Sequence, residues 1–272
     1  MHGIGNDFVM LDLLNTPAPV DPPELARRMN NRRMGIGADG LILVERGARA
    51  PYRMRMFNPD GSEAEMCGNG IRCFAKLLRD RGYLTGSEAD IETGAGPLVV
   101  QLTGDGQVRV NMGPARLTRR EIPMTGPESE RFIDEPVGLE SWRGTAVSMG
   151  NPHLVLFTED VAAIPLRELG PILETNPAFP RKTNVHFVQV LSRTRLIQRT
   201  WERGAGITLA CGTGACAVAV AGFLTGRSDR SVNIDLPGGR LSIEYAEDGT
   251  VYMTGPAVTV YEGEWRESSS SC

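Results

Sequence analysis

Apolar and polar residues alternate through "IETGAGPLVVQLTGDGQVRV" from Ile91 and again through "IDLPGGRLSIEYAEDGTVYM" from Ile234. Each stretch predicts a hairpin, with Asp105-Gly106 and Asp248-Gly249 as turn signals between strands that bury one face. The period changes at two other places. Gly70 to Arg81 and Gly214 to Thr225 read as helices, ended by Gly82 and Gly226, residues suited to a left-handed cap. Ala215, Ala217, Val218, Ala219, Val220, Ala221 and Phe223 make the second apolar on nearly all sides, which predicts a buried helix. A surface helix is predicted over "ELARRMNN", with Asp21 as cap and Pro22 or Pro23 in its first turn.

These patterns occur twice in the same order. "GNDFVML" from Gly5 aligns with "GNPHLVL" from Gly150 at an offset of 145, and "MFNPDG…MCGNG" with "TWERGA…ACGTG" at 144. The two hairpins align at 143, and "GPA" recurs at Gly113 and Gly255, an offset of 142. Four ordered blocks whose offset drifts by single residues predict two homologous halves with short loop insertions, divided near Pro114 to Thr118. Each half reads as three strands, one short helix at a cysteine motif, then a hairpin. The expected fold is α/β of the α+β type: two pseudo-symmetric domains, each a mainly antiparallel sheet wrapped around a central helix, facing each other across a cleft. Their expected limits are 1–115 with 258–272, and 116–257.

Composition narrows the partners. A chain of 272 residues, 41% hydrophobic, has a core, and a net charge of −4 with pI near 5.6 offers no basic field for nucleic acid or an anionic membrane. A small molecule is the expected partner, and a homodimer is left open. No run of about 18 apolar residues is present, and "MHGIGNDF" has no features of a secretory signal, which predicts a cytoplasmic protein. In that compartment the five cysteines are free thiols rather than a disulfide framework. Cys73 and Cys216, inside the helices, are expected to be packing, and Cys272 a tail thiol. The cysteine spacings, with only His2, His153 and His186 elsewhere, do not match structural zinc, so no metal is expected. Lys76 and Lys182 are the only lysines, and neither lies in a Gly-rich, anion-binding context that a Schiff-base cofactor would use, so no cofactor is expected either.

Cys67 and Cys211 differ from the other thiols. Each precedes a predicted helix in a C-G-x-G context, beside free N–H groups and the positive end of the helix dipole, where a thiolate is favoured. Gly68 and Asn69, with Gly212 and Thr213, can turn main-chain N–H groups toward a carboxylate or developing oxyanion. Two such sites related by pseudo-symmetry suit one carbon acid held between two thiols: one removes its proton, the other delivers a proton to the opposite face, and the stereocentre inverts.

The stretches "HGIGNDF", "GIGADGLI", "MFNPDGSEAEMCGNGIRC", "SMGNPH", "TNVHFVQV" and "WERGAGITLACGTGACA" resemble diaminopimelate epimerases from residue 2 to about residue 263. The resemblance implies a PLP-independent enzyme interconverting LL- and meso-2,6-diaminopimelate in lysine and peptidoglycan-precursor synthesis. It implies Cys67 and Cys211 as the acid/base pair and His153 and Glu202 as groups that tune them. It also implies substrate contacts at Asn6, Asn58, Gly68, Asn69, Asn151, Asn184, Glu202, Arg203, Gly212 and Thr213. The residue types agree, because a guanidinium fork, a carboxylate and several amides read both ends of a two-ended amino acid. Asn58, before "PDG", also has a plain turn reading, and His186 one as a core residue on a strand face. The chain departs from the family at Gly40 and Ile207, and it begins where members usually carry a few more residues of a first strand. Other readings are a proline or hydroxyproline racemase with opposed thiols, and a redox-sensitive amino-acid-binding protein.

Overall fold

The computed structural model describes residues 1–139 and 142–266; Cys272 lies outside them. Four helices are seen among these residues: α1 (Pro22–Asn30), α2 (Gly68–Asp80), α3 (Leu166–Glu174) and α4 (Gly212–Leu224). In the first half, strand Asn6–Asp12 lies parallel to Gly40–Arg46, the chain crossing over through α1. Gly40–Arg46 pairs antiparallel with Tyr52–Phe57, and Glu88–Thr93, Gly96–Leu102 and Val108–Pro114 form an antiparallel meander. The second half repeats this order. Pro152–Thr158 lies parallel to Asn184–Ser192 across α3, then Arg195–Glu202, Ser231–Leu236, Gly239–Tyr245 and Thr250–Gly255 follow. Most pairings are antiparallel, so the α+β expectation holds.

The halves are joined by the strands that the repeat aligns. Val108–Pro114 pairs antiparallel with Thr250–Gly255, placing Met253 opposite Val110. Equivalent strands pairing with each other give the seam an approximate twofold character. The largest hydrophobic cluster spans it: Ile71, Phe74 and Leu78 of α2 lie in the same core as Ala215, Val218 and Val220 of α4. Smaller clusters lie beneath α1, around Leu25, Met29 and Phe57, and beneath α3, around Leu166, Leu173 and Phe187.

Local chemistry explains the helix limits. Asp21 Oδ1 accepts the Glu24 N–H at 3.1 Å and caps α1, as expected. The central helices begin two residues before the predicted starts, because Cys67 and Cys211 are themselves the N-caps, in nearly the same extended conformation (φ −141°, ψ 118° and φ −132°, ψ 100°). Gly82 and Gly226 both adopt φ +71°. The next residue donates back into each helix, Tyr83 N to Leu78 O at 2.9 Å and Arg227 N to Gly222 O at 2.8 Å, which completes a Schellman turn.

Helix α3 is absent from the sequence expectation. Pro171 sits inside it and Gly170 precedes that proline, both breaker signals. It forms because tertiary packing outweighs them: a Cβ on Gly170 would lie 2.4 Å from the Trp201 ring, so only glycine lets the helix settle on that indole. No helix of the described residues is long and apolar enough to cross a membrane.

Candidate active site

The turns of two equivalent hairpins set the approach to each cysteine. Ala95 N donates to Glu65 O at 3.0 Å, and Gly238 N to Leu209 O at 2.9 Å, in each case two residues before the thiol. The two C-G-x-G motifs then meet at the seam. Met253 lies against both: a Cβ on Gly68 would touch its methyl group at 3.1 Å, and one on Gly212 its sulfur at the same distance. That Gly212 Cβ would also be 3.5 Å from Asn69 Oδ1, a buried oxygen with no hydrogen-bond partner. The amino ends of α2 and α4 are therefore neighbours, each with the unpaired N–H groups of a first helical turn.

Cys67 is half-buried; its sulfur accepts the Gly70 N–H at 3.5 Å and lies 3.9 Å from Asn6 Oδ1. Burial pushes this thiol above its ordinary value, opposed by the Gly70 and Asn69 N–H groups. Cys211 is buried, 3.9 Å from Thr213 Oγ1, and the Gly214 N–H and Thr213 hydroxyl favour its thiolate. Burial and then the Glu202 charge push it up further. The Glu202 charge disfavours both thiolates, more strongly that of Cys211, with which its carboxylate shares a hydrogen bond. That carboxylate is itself raised by burial and is held by Thr208 Oγ1 at 2.5 Å.

The strand-end asparagines occupy matching places with opposite sense. Asn6 Nδ2 donates to Asp39 at 2.7 Å, leaving Oδ1 to accept from Asn69 Nδ2 at 3.0 Å. Asn151 Nδ2 donates to Thr213 Oγ1 at 3.4 Å, while its Oδ1 faces His153 Nε2 at 2.9 Å. His153 is fully buried, and burial followed by His186 holds it well below the usual imidazole range, so it is neutral. Asn184 is committed at both ends to main chain, donating to Pro152 O at 2.9 Å and accepting from Arg203 N at 3.0 Å. The Arg203 guanidinium is exposed and reaches Arg181 O at 3.1 Å. Asn58 Nδ2 donates to Ser62 Oγ at 2.9 Å within its own turn. The structure thus gathers Cys67, Gly68, Asn69, Asn6, Asn151, Glu202, Cys211, Gly212 and Thr213 at the seam, while Asn58 bonds the Ser62 hydroxyl in its own turn and Asn184 holds main chain.

Three residues went unremarked in the sequence. Asp39 orients Asn6 and is paired with Arg32 at 2.8 Å. Thr208 holds Glu202. Arg72 is fully buried behind the start of α2, donating to Gly68 O and Pro256 O, each at 3.1 Å, and to Met253 Sδ at 3.7 Å. A charged side chain on the buried face of "GIRCFA" was the available signal for it. His153, His186 and Cys211 also bring two ring nitrogens and a sulfur within 4.8 Å of one another. The ring nitrogens are 2.9 Å apart, a hydrogen-bond length, and a shared tetrahedral zinc would spread them to about 3.3 Å. The pair is built as a hydrogen bond.

The sequence pattern of the family described as diaminopimelate epimerase matches residues 1–118 and 145–260. This chain belongs to the diaminopimelate epimerase family. It is 55% identical to the diaminopimelate epimerase of Moorella thermoacetica and 53% identical to that of Desulforudis audaxviator, each alignment covering 97% of both chains. Among solved structures it is similar to a phenazine biosynthesis protein of the PhzF family from Enterococcus faecalis, with a TM-score of 0.69 at 17% identity, covering 97% of this chain and 94% of that one. At that identity the likeness is one of fold: two related halves around central helices.

Proposed function

We propose that this chain interconverts LL- and meso-2,6-diaminopimelate by a two-thiol proton transfer in the cleft between residues 1–115, with the chain end, and residues 116–257. The observation that carries the mechanism is the meeting of two C-G-x-G helix starts over Met253, each with its own cysteine at the N-cap position. The thiolate of one cysteine takes the α-proton and becomes a thiol. The other thiol gives its proton to the opposite face of the carbanion and becomes the thiolate, so the proton count is unchanged and the two cysteines exchange roles. At each thiol hydrogen-bond donors oppose the effect of burial: the Gly70 and Asn69 N–H groups at Cys67, and the Gly214 N–H and Thr213 hydroxyl at Cys211. The N–H groups at the two helix starts stabilise the carboxylate as negative charge spreads onto it from the α-carbon. Glu202, Arg203 and the asparagines are assigned to the second amino-acid end. The substrate is a small molecule, with no nucleic-acid or membrane partner, and the enzyme works in the cytoplasm. A homodimer is compatible with this reading.

The test is exchange in deuterated water without added PLP. The wild-type protein should incorporate deuterium at the α-carbon of LL-diaminopimelate and produce the meso form. Cys67→Ala and Cys211→Ala should each lose at least about a hundredfold of turnover, the usual contribution of a positioned acid or base. Retained epimerisation in either variant, or activity on proline in place of diaminopimelate, would overturn the reading.

A further inference from the structure

The repeat supplies an internal control for the polar chain behind Asn151. His153, His186, Gln198 and Thr200 align with Phe8, Ile42, Met54 and Met56 at offsets of 145, 144, 144 and 144. All eight side chains are buried. The first half builds this layer from hydrocarbon alone, so the second half does not need a polar network for packing. Buried polar groups carry a desolvation cost that a hydrocarbon layer avoids, which makes the substitution informative.

The network has a direction. Gln198 Nε2, which can only donate, bonds His186 Nδ1 at 3.1 Å and Thr200 Oγ1 at 2.9 Å. His186 Nδ1 is then an acceptor and its proton sits on Nε2, 2.9 Å from His153 Nδ1. His153 in turn carries its proton on Nε2, 2.9 Å from Asn151 Oδ1. The Asn151 carbonyl is therefore occupied, and its NH₂ turns toward Thr213 and the cleft. Thr200 Oγ1 also lies 3.0 Å from His186 Nδ1, but a proton donated to it from that nitrogen would face the Gln198 Nε2 donor, and turning the Gln198 amide over would leave two buried N–H donors without partners in place of the single bare oxygen, Gln198 Oε1, now present. Both imidazoles are neutral, as a one-proton-per-ring chain requires; burial lowers His186 to about 3.

We propose that His186 is a positioning residue which, through His153, fixes the Asn151 amide with its N–H groups toward the cleft, making that wall a donor to an acceptor oxygen of the substrate. Asn6 has the opposite sense, so the two walls of a pseudo-symmetric site differ in polarity. The proposal rests on the reading that the substrate binds between the two cysteine motifs.

Two measurements test it. In protein labelled with ¹⁵N-histidine, two-bond ¹H–¹⁵N spectra at neutral pH should place both the His153 and the His186 proton on Nε2; a proton on Nδ1 of either ring overturns the proposal. His186→Ile, the residue of the other half, should remove that single His153 tautomer and raise KM for diaminopimelate about tenfold with kcat within about threefold, the loss of an oriented hydrogen bond to a charged group. Added to Asn151→Ala, the same change should raise KM by less than about twofold, because it acts through Asn151. His186→Gln, which keeps a donor toward His153, should stay within about threefold of wild type. An unchanged KM in His186→Ile, or effects that simply add in the double variant, overturns the proposal. A wild-type protein inactive on diaminopimelate would sink the functional reading while the tautomer spectra still decide this one.

Discussion

Two buried imidazoles in contact give stability a pH dependence of predictable sign. Both His153 and His186 have folded-state values below the ordinary 6.5, so the unfolded chain binds protons that the folded chain refuses. Their contribution is fully present above about 6.5 and is lost as pH falls toward about 3 for His186. Below about pH 6.5 each ring should remove up to about 1.4 kcal/mol per pH unit, the limit reached once the unfolded-state imidazole is fully protonated. Denaturant titrations at several pH values should show this slope, and His186→Ile should lose about half of it; an equal slope in both proteins would contradict the assignment. At this scale the cysteines were legible because their whole motif recurs. Asp39 and Arg72 were not: each acts through a fold contact with residues 33 and 184 positions away, to Asn6 and to Pro256.

The C-G-x-G helix start works as one element. Its cysteine takes the N-cap position, its second and fourth residues let the strand behind and the thiol in front approach the backbone, and its far end is closed by a Schellman turn. The fourth position is the most sensitive in the second half. A Cβ on Gly214 would lie 2.3 Å from His186 Cε1 and 2.9 Å from Cys211 Sγ, whereas one on Gly70 would meet the end of the Ile42 side chain at 2.8 Å. Gly214→Ala should therefore destabilise the protein by about 1 to 3 kcal/mol and abolish activity, with Gly70→Ala milder because an aliphatic tip can rotate. Thermal melts and turnover of the two variants check the order. Helix α3 marks the limit of local reading, since Gly170 and Pro171 argue against a helix until Trp201 is in place beneath them.

On the scale of the molecule, the seam between Val108–Pro114 and Thr250–Gly255 and the core shared by α2 and α4 tie the halves together. Unfolding of the second half would strip α2 of part of its packing. Tryptophan fluorescence, which reports Trp142 and Trp201 in the second half and Trp265 against the α1 cluster, should therefore change in one transition coincident with the circular dichroism. Two resolved transitions would show that the halves are energetically separate.

The sequence by itself determined the duplication, the paired cysteine motifs, the hairpin turns and the helix ends, because each rests on local chemistry or on self-similarity along the chain. Only the tertiary structure decided that equivalent strands pair with each other, that Asn6 and Asn151 point their amides in opposite senses, and that His186 stands behind His153. Those are relations between residues distant in sequence, set by strand register and by which buried donors find acceptors, and no periodicity along the chain encodes them.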